Sequence, residues 1–167
     1  MRNLKTYVWV IPYLGVFMCS IALFTPAAFF ENIIWNHKII NWIWGLFQDT
    51  FNSAVTSSFY EDPIQLVPSV ITSSIVLISI LFLGIELLRH RDNLKKGLIN
   101  LFIYIIPAAC IIFSTIFWMV MMEIAERTIY DITMWGRYVP GFGVIGLFIG
   151  ASLITFGSLI SKYIKES

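Results

Sequence analysis

The sequence predicts an all-α membrane protein, a bundle of four transmembrane helices. Three observations carry this. Of 167 residues, 58% are hydrophobic and only 13% charged, against about a quarter charged in soluble domains. The apolar residues fall into four long runs, about 7–30, 64–88, 98–122 and 140–161. Each is long enough for the ~20 helical residues that cross a bilayer core. The basic residues collect on alternate connections between the runs.

The first run, "YVWVIPYLGVFMCSIALFTPAAFF", follows Arg2 and Lys5. It exceeds the ~7–15 apolar residues of a cleaved leader, so a retained helix is expected. Pro12 and Pro26 lie near its ends, where the missing amide donor kinks or stops a helix. Span two begins near Pro63 and ends at Glu86, which sits within reach of Arg89 and His90. Span three carries Pro107 and ends in "FWMVMMEIAER", where Glu123 and Arg127 are placed to pair one turn apart. Span four carries Gly143, Gly146, Gly150 and Gly157 at helical spacing. Glycines on one face let another helix approach closely. This packing face is therefore expected to meet either a neighbouring span or a second copy. Four spans leave no room for a separate soluble domain, so residues 1–167 read as one membrane domain.

Orientation follows from charge. With four crossings, Arg2, Lys5, Arg89, Arg91, Lys95, Lys96, Lys162 and Lys165 share one side. Lys38, Arg127 and Arg137 share the other. Positive residues in short loops stay cytoplasmic, which places both termini inside the cell, the plasma membrane being the expected location. Arg89, Arg91, Lys95 and Lys96 form a cytoplasmic anchor, and a cluster of that size beside a span also attracts anionic lipid headgroups. The outer side carries Glu31, Asp49, Glu61, Asp62, Glu123, Glu126 and Asp131, an acidic excess.

The first outer segment, 31–63, is too apolar for a solvated loop. Ile40, Trp44, Phe47, Phe51 and Val55 recur at intervals of three and four, which predicts an amphipathic helix over about 36–55. The strand formers of "IINWIWGLF" leave a small sheet as the alternative. Trp35, Trp42, Trp44, Phe47 and Phe51 are the expected outer interfacial contacts, since tryptophan favours the headgroup boundary.

The residues point away from catalysis. The span interiors are almost free of ionisable groups, which mark function inside a membrane. His37 and His90 fall on opposite sides, and His37 with Glu31 falls short of the three or four protein ligands that zinc takes. Cys19 and Cys110 lie mid-span, where thiols act as apolar fillers. No cofactor, metal or nucleic acid is expected. The expected partners are the lipid bilayer, anionic lipid, and either further copies of the chain or other membrane subunits. A homo-oligomeric channel lined by the Ser/Thr face of span two is a further alternative.

The layout resembles the claudin/PMP22-like tetraspan group. Trp35 precedes Gly45-Leu46-Phe47, with Trp44 just before, as the group carries a tryptophan and then Gly-Leu-Trp in its first outer loop. Trp135-Gly136 and Gly141, Gly143, Gly146 and Gly150 match an aromatic-Gly entry to a glycine-rich last span. The resemblance implies a non-enzymatic tetraspan acting in membrane organisation or protein and lipid contacts, with a small outer sheet. The segment lacks the cysteine pair of claudins, so the likeness does not extend to a junction-forming role.

Overall fold

The computed structural model describes residues 7–96 and 98–163. Arg2, Lys5 and Lys165 lie outside these. Four apolar helices dominate: α1 (Ile11–Phe24), α2 (Pro63–Arg89), α4 (Phe102–Tyr130) and α6 (Phe142–Tyr163). They pack in the ring order α1–α2–α4–α6. Among the described residues α2, α4 and α6 are long and apolar enough to cross a membrane, and Val8–Phe24 is a shorter apolar helix. Two short helices lie in the connections, α3 (Arg91–Lys96) and α5 (Met134–Arg137).

The expectation of an all-α protein is corrected by a five-stranded antiparallel sheet at one end of the bundle. Its strands are β1 (Ala28–Asn32), β2 (His37–Asn41), β3 (Leu46–Phe51), β4 (Ala54–Phe59) and β5 (Val139–Pro140), in the order β4-β3-β2-β1-β5. The segment 36–55 is thus three strands, not a helix. Turn chemistry explains it. Asn32 Oδ1 accepts from the amides of Ile34 and Trp35, and Asn36 takes a positive φ of 42°, closing the β1–β2 hairpin. Gly45 turns β2 into β3 at φ 94°, a conformation that favours glycine. Asn52 and Ser53 both adopt positive φ, as a tight two-residue hairpin turn requires. These breaks chop the segment into pieces too short for a helix but ample for strands.

Span boundaries shift for similar local reasons. The first, expected to reach residue 30, ends at Phe24: Thr25 is extended, Pro26 has no amide proton, and Ala28 enters β1. Span two, expected over 64–88, begins at Pro63 because Asp62 caps it, Oδ1 accepting from Ile64 N at 2.8 Å. Helix α4, expected over 98–122, instead runs from Phe102 to Tyr130 and stops where Asp131 adopts a left-handed conformation. Helix α6 runs two residues further along the chain than the 140–161 expected.

The glycine face of α6 packs on α1. A β-carbon added at Gly157 would fall 2.7 Å from Pro12, one at Gly146 2.8 Å from Ala22, and one at Gly143 2.7 Å from Thr25 O. One at Gly150 would strike Cys19 Sγ and lie 2.7 Å from Gly15 O, and one at Gly15 would lie 2.6 Å from Gly150 O. The two helices meet backbone to backbone. Helix α2 joins α4 by polar contacts instead. Trp118 Nε1 donates to Ser69 Oγ at 3.0 Å and Thr72 Oγ1 to Ser114 O at 3.1 Å. Ser69, Thr72 and Ser79 of α2 are therefore buried within one chain, while Ser73 is half-buried and Ser74 exposed.

At the end away from the sheet, Arg91 and Lys95 lie 5.3 and 4.6 Å from the Trp9 ring centroid. Ser161 Oγ donates to Leu94 O at 2.8 Å, pinning α3 to α6. Arg89 and Lys96 are exposed. Glu86 pairs with His90 at 3.4 Å.

Because the glycine face is used within one chain, Gly150→Leu is expected to destabilise the protein by about 1–3 kcal/mol through overpacking. Thermal melting in mild detergent measures it, and the loss should be the same at every protein concentration.

Candidate functional site

Strand alternation places side chains i and i+2 on one face. On β2 that face presents His37, Ile39 and Asn41, and on β3 it presents Phe47 and Asp49; Asn41 lies opposite Phe47 and Ile39 opposite Asp49. This face roofs a cavity of about 900 Å³. Its floor is the sheet-side ends of α2 and α4, through Gln65, Glu126 and Tyr130, and its wall is the second connection, through Arg137 and Tyr138. The volume lies at the upper part of the range for small-molecule sites.

Five polar side chains that line this space are less than a tenth exposed: Asn41, Tyr60, Gln65, Glu126 and Tyr138. Glu126 sits one turn beyond the 98–122 run. Its Oε1 accepts from Gln65 Nε2 at 3.1 Å. His37 Nε2 and Asp49 Oδ1 lie 2.9 Å apart. The Arg137 guanidinium sits 4.2 Å over the Phe30 ring. Phe47 and Tyr60 stack with ring centroids 5.6 Å apart and planes 8° apart. Tyr60 Oη is buried and finds no hydrogen-bond partner among the described residues. Burial, reinforced by the Glu126 carboxylate, pushes the Tyr60 and Tyr138 phenols above the ordinary tyrosine range. Both therefore stay protonated and can donate.

The second connection is fixed by Trp135. Its indole Nε1 donates to Met119 O at 3.1 Å and its amide to Glu123 Oε2 at 3.2 Å. Glu123 also takes Arg127 Nε at 2.7 Å, the pairing expected from their spacing. Gly141 N donates to Ala27 O and Gly143 N to Pro26 O, both at 2.8 Å. This lays β5 beside β1 and brings Arg137 and Tyr138 to the cavity.

The aromatic residues singled out from sequence divide three ways. Phe47 lines the cavity. Trp42 and Trp44 are half-buried, Trp44 with its ring 6.0 Å from Phe59. Trp35 and Phe51 are exposed at 65% and 49%. Trp35 shares the β1–β2 turn with Ile33 and Ile34, each 89% exposed. Glu31 and His37 do not form a metal site, because Glu31 pairs with Lys38 in the ladder and so lies on the opposite sheet face from His37. Among the described residues no three His, Cys, Asp or Glu groups gather to hold a metal ion.

Sequence reasoning missed Asn41, Tyr60, Gln65 and Tyr138. Their signal was weak, since they come from segments that meet only in the folded chain. The acidic excess of this end was the visible part of it. In comparisons with protein-family models and with curated protein sequences, nothing matches this chain.

Gln65→Leu leaves the buried Glu126 carboxylate without its amide donor. The expected cost is about 2–3 kcal/mol, read as a lowered melting temperature in detergent.

Proposed function

We propose that this chain is a non-enzymatic integral membrane protein with four crossings, whose outer sheet makes contacts with other membrane proteins. Three long apolar helices support membrane insertion. Val8–Phe24 is read as the fourth crossing because α1 follows α6 from Gly143 to Gly157, fourteen steps or about 21 Å of helix. Arg89, Arg91, Lys95, Lys96 and Lys162 lie at the end opposite the sheet. That supports an orientation with the sheet outside and this end cytoplasmic, where the exposed Arg89 and Lys96 can meet anionic headgroups. The small sheet, built from both outer segments, supports the claudin/PMP22-like layout.

The observation that carries the functional reading is the hairpin tip. Ile33, Ile34 and Trp35 are three consecutive large apolar side chains, all exposed, the two isoleucines almost fully, at the far end of β1 from the bundle. Tryptophan is among the residues most enriched at interface hot spots. The sheet edges add to this: β5 covers only Ala28 and Phe29 of β1, and β4 has one neighbour. Open edges invite pairing with another chain. The partner favoured is a second copy, which presents the same tip and edges. A heteromeric complex, with this chain as an accessory subunit, is the second reading. The channel reading loses support because Ser69 and Thr72 face α4.

A photo-cross-linker at position 35 in native membranes is expected to yield a covalent dimer of the chain. Ile33→Ser with Ile34→Ser should remove the adduct while shifting stability by less than about 0.5 kcal/mol. An adduct only with another protein selects the subunit reading, and absence of any adduct overturns the proposal.

A further inference from the structure

We infer that the cavity beneath the sheet is a binding site for an organic ammonium ion carrying an apolar body, held by Glu126 and the aromatic wall of Phe47 and Tyr60. The inference is independent of the hairpin-tip reading.

Charge sets the sign of the occupant. Asp49, Glu61, Asp62 and Glu126 line the space against a single guanidinium, that of Arg137. With His37 neutral the lining sums to −3. Arg137 is drawn onto Phe30, and His37 is matched to Asp49. Asp62 accepts an amide at the α2 cap. Glu126, 4% exposed, is the deepest of the four carboxylates. Its hydrogen-bonded neighbour Gln65 is neutral, and the Arg137 guanidinium reaches it through space. A buried carboxylate in such a setting favours a cation beside it.

The walls set the chemistry of that cation. An inorganic ion takes several oxygen or nitrogen ligands at once, and no three His, Cys, Asp or Glu groups gather here among the described residues to hold one. Aromatic faces instead attract ammonium groups, and aromatic cages are the common means of holding alkylated ones. Phe47 and Tyr60 form one such wall, with Tyr138 across the cavity. The Tyr60 hydroxyl is a second, independent sign of an occupant. It is buried, protonated and unpartnered among the described residues, on a residue that lines the cavity. Such an atom costs about 1–3 kcal/mol unless something fills the space beside it. A ligand with a polar atom next to its ammonium group would accept from it.

Two sources supply this chemistry: a soluble amine from the outer side, and the choline or ethanolamine headgroup of a neighbouring phospholipid. The test uses the full chain in dodecyl maltoside, a neutral detergent, titrated calorimetrically with benzyltrimethylammonium and separately with benzenesulfonate. Saturable binding of the cation is expected, at least about tenfold tighter than the anion. Glu126→Gln should weaken it by about tenfold or more. Glu61→Gln, at an exposed rim position, should weaken it severalfold even if the Glu126 variant fails to fold. Competition by dihexanoylphosphatidylcholine or dihexanoylphosphatidylethanolamine assigns the headgroup as source, and failure of both to compete assigns a soluble amine. Equal affinity for the anion, no saturable binding of the cation, or Glu61→Gln and a folded Glu126→Gln that both bind normally would overturn the inference.

Discussion

The contact between α1 and α6 sets the rest of the molecule. Gly15 on one helix and four glycines on the other remove the side chains that would hold the backbones apart. The seam does not stop where the helices end. At its sheet end Gly143 and Gly141 donate to Pro26 and Ala27, and the same approach places β5 against β1. Helix packing and sheet pairing are thus one continuous surface. Without it, the first and last quarters of the chain would lose their common register, and the second connection would not reach the cavity.

The other half of the bundle is held by different chemistry. Between α2 and α4 the interface is a column of polar groups, Gln65 with Glu126, Ser69 with Trp118 and Thr72 with Ser114. In lipid each such bond is worth only about 0.6 to 2 kcal/mol. Their value lies in direction: they fix the rotation of α2 against α4, where apolar packing alone would tolerate sliding. The topmost member also presents its carboxylate to the cavity, so the element that orients the helices also charges the site.

Much of the helical part was legible in the chain. Proline and charge bracket α2, and the glycine spacing marked the face of α6 that packs. Over 36–55 the helix was favoured above the sheet, its alternative, for a physical reason. Ile40, Trp44, Phe47, Phe51 and Val55 imitate a helical stripe only because strands of five and six residues alternate with short turns. The better signal was the turn formers Asn36, Gly45 and Asn52-Ser53, whose positive φ angles no helix accepts. The cavity was less legible still. Asn41, Tyr60, Gln65, Glu126 and Tyr138 are scattered over nearly a hundred positions, and only the long-range pairing of β1 with β5 and α2 with α4 gathers them. Periodicity reports which face of an element is apolar; it does not report which distant elements share a boundary.

The sheet is held by backbone ladders, turns built on asparagine, serine and glycine, stacked rings and the His37–Asp49 contact, none of them covalent. The chain's two cysteines sit elsewhere, Cys19 in α1 and Cys110 in α4. Maturation of this part of the molecule therefore needs no oxidant and no isomerase to sort thiols. Its shape would be the same in a sulfide-rich or strongly reducing habitat as in air, a tolerance that covalently stapled ectodomains do not share.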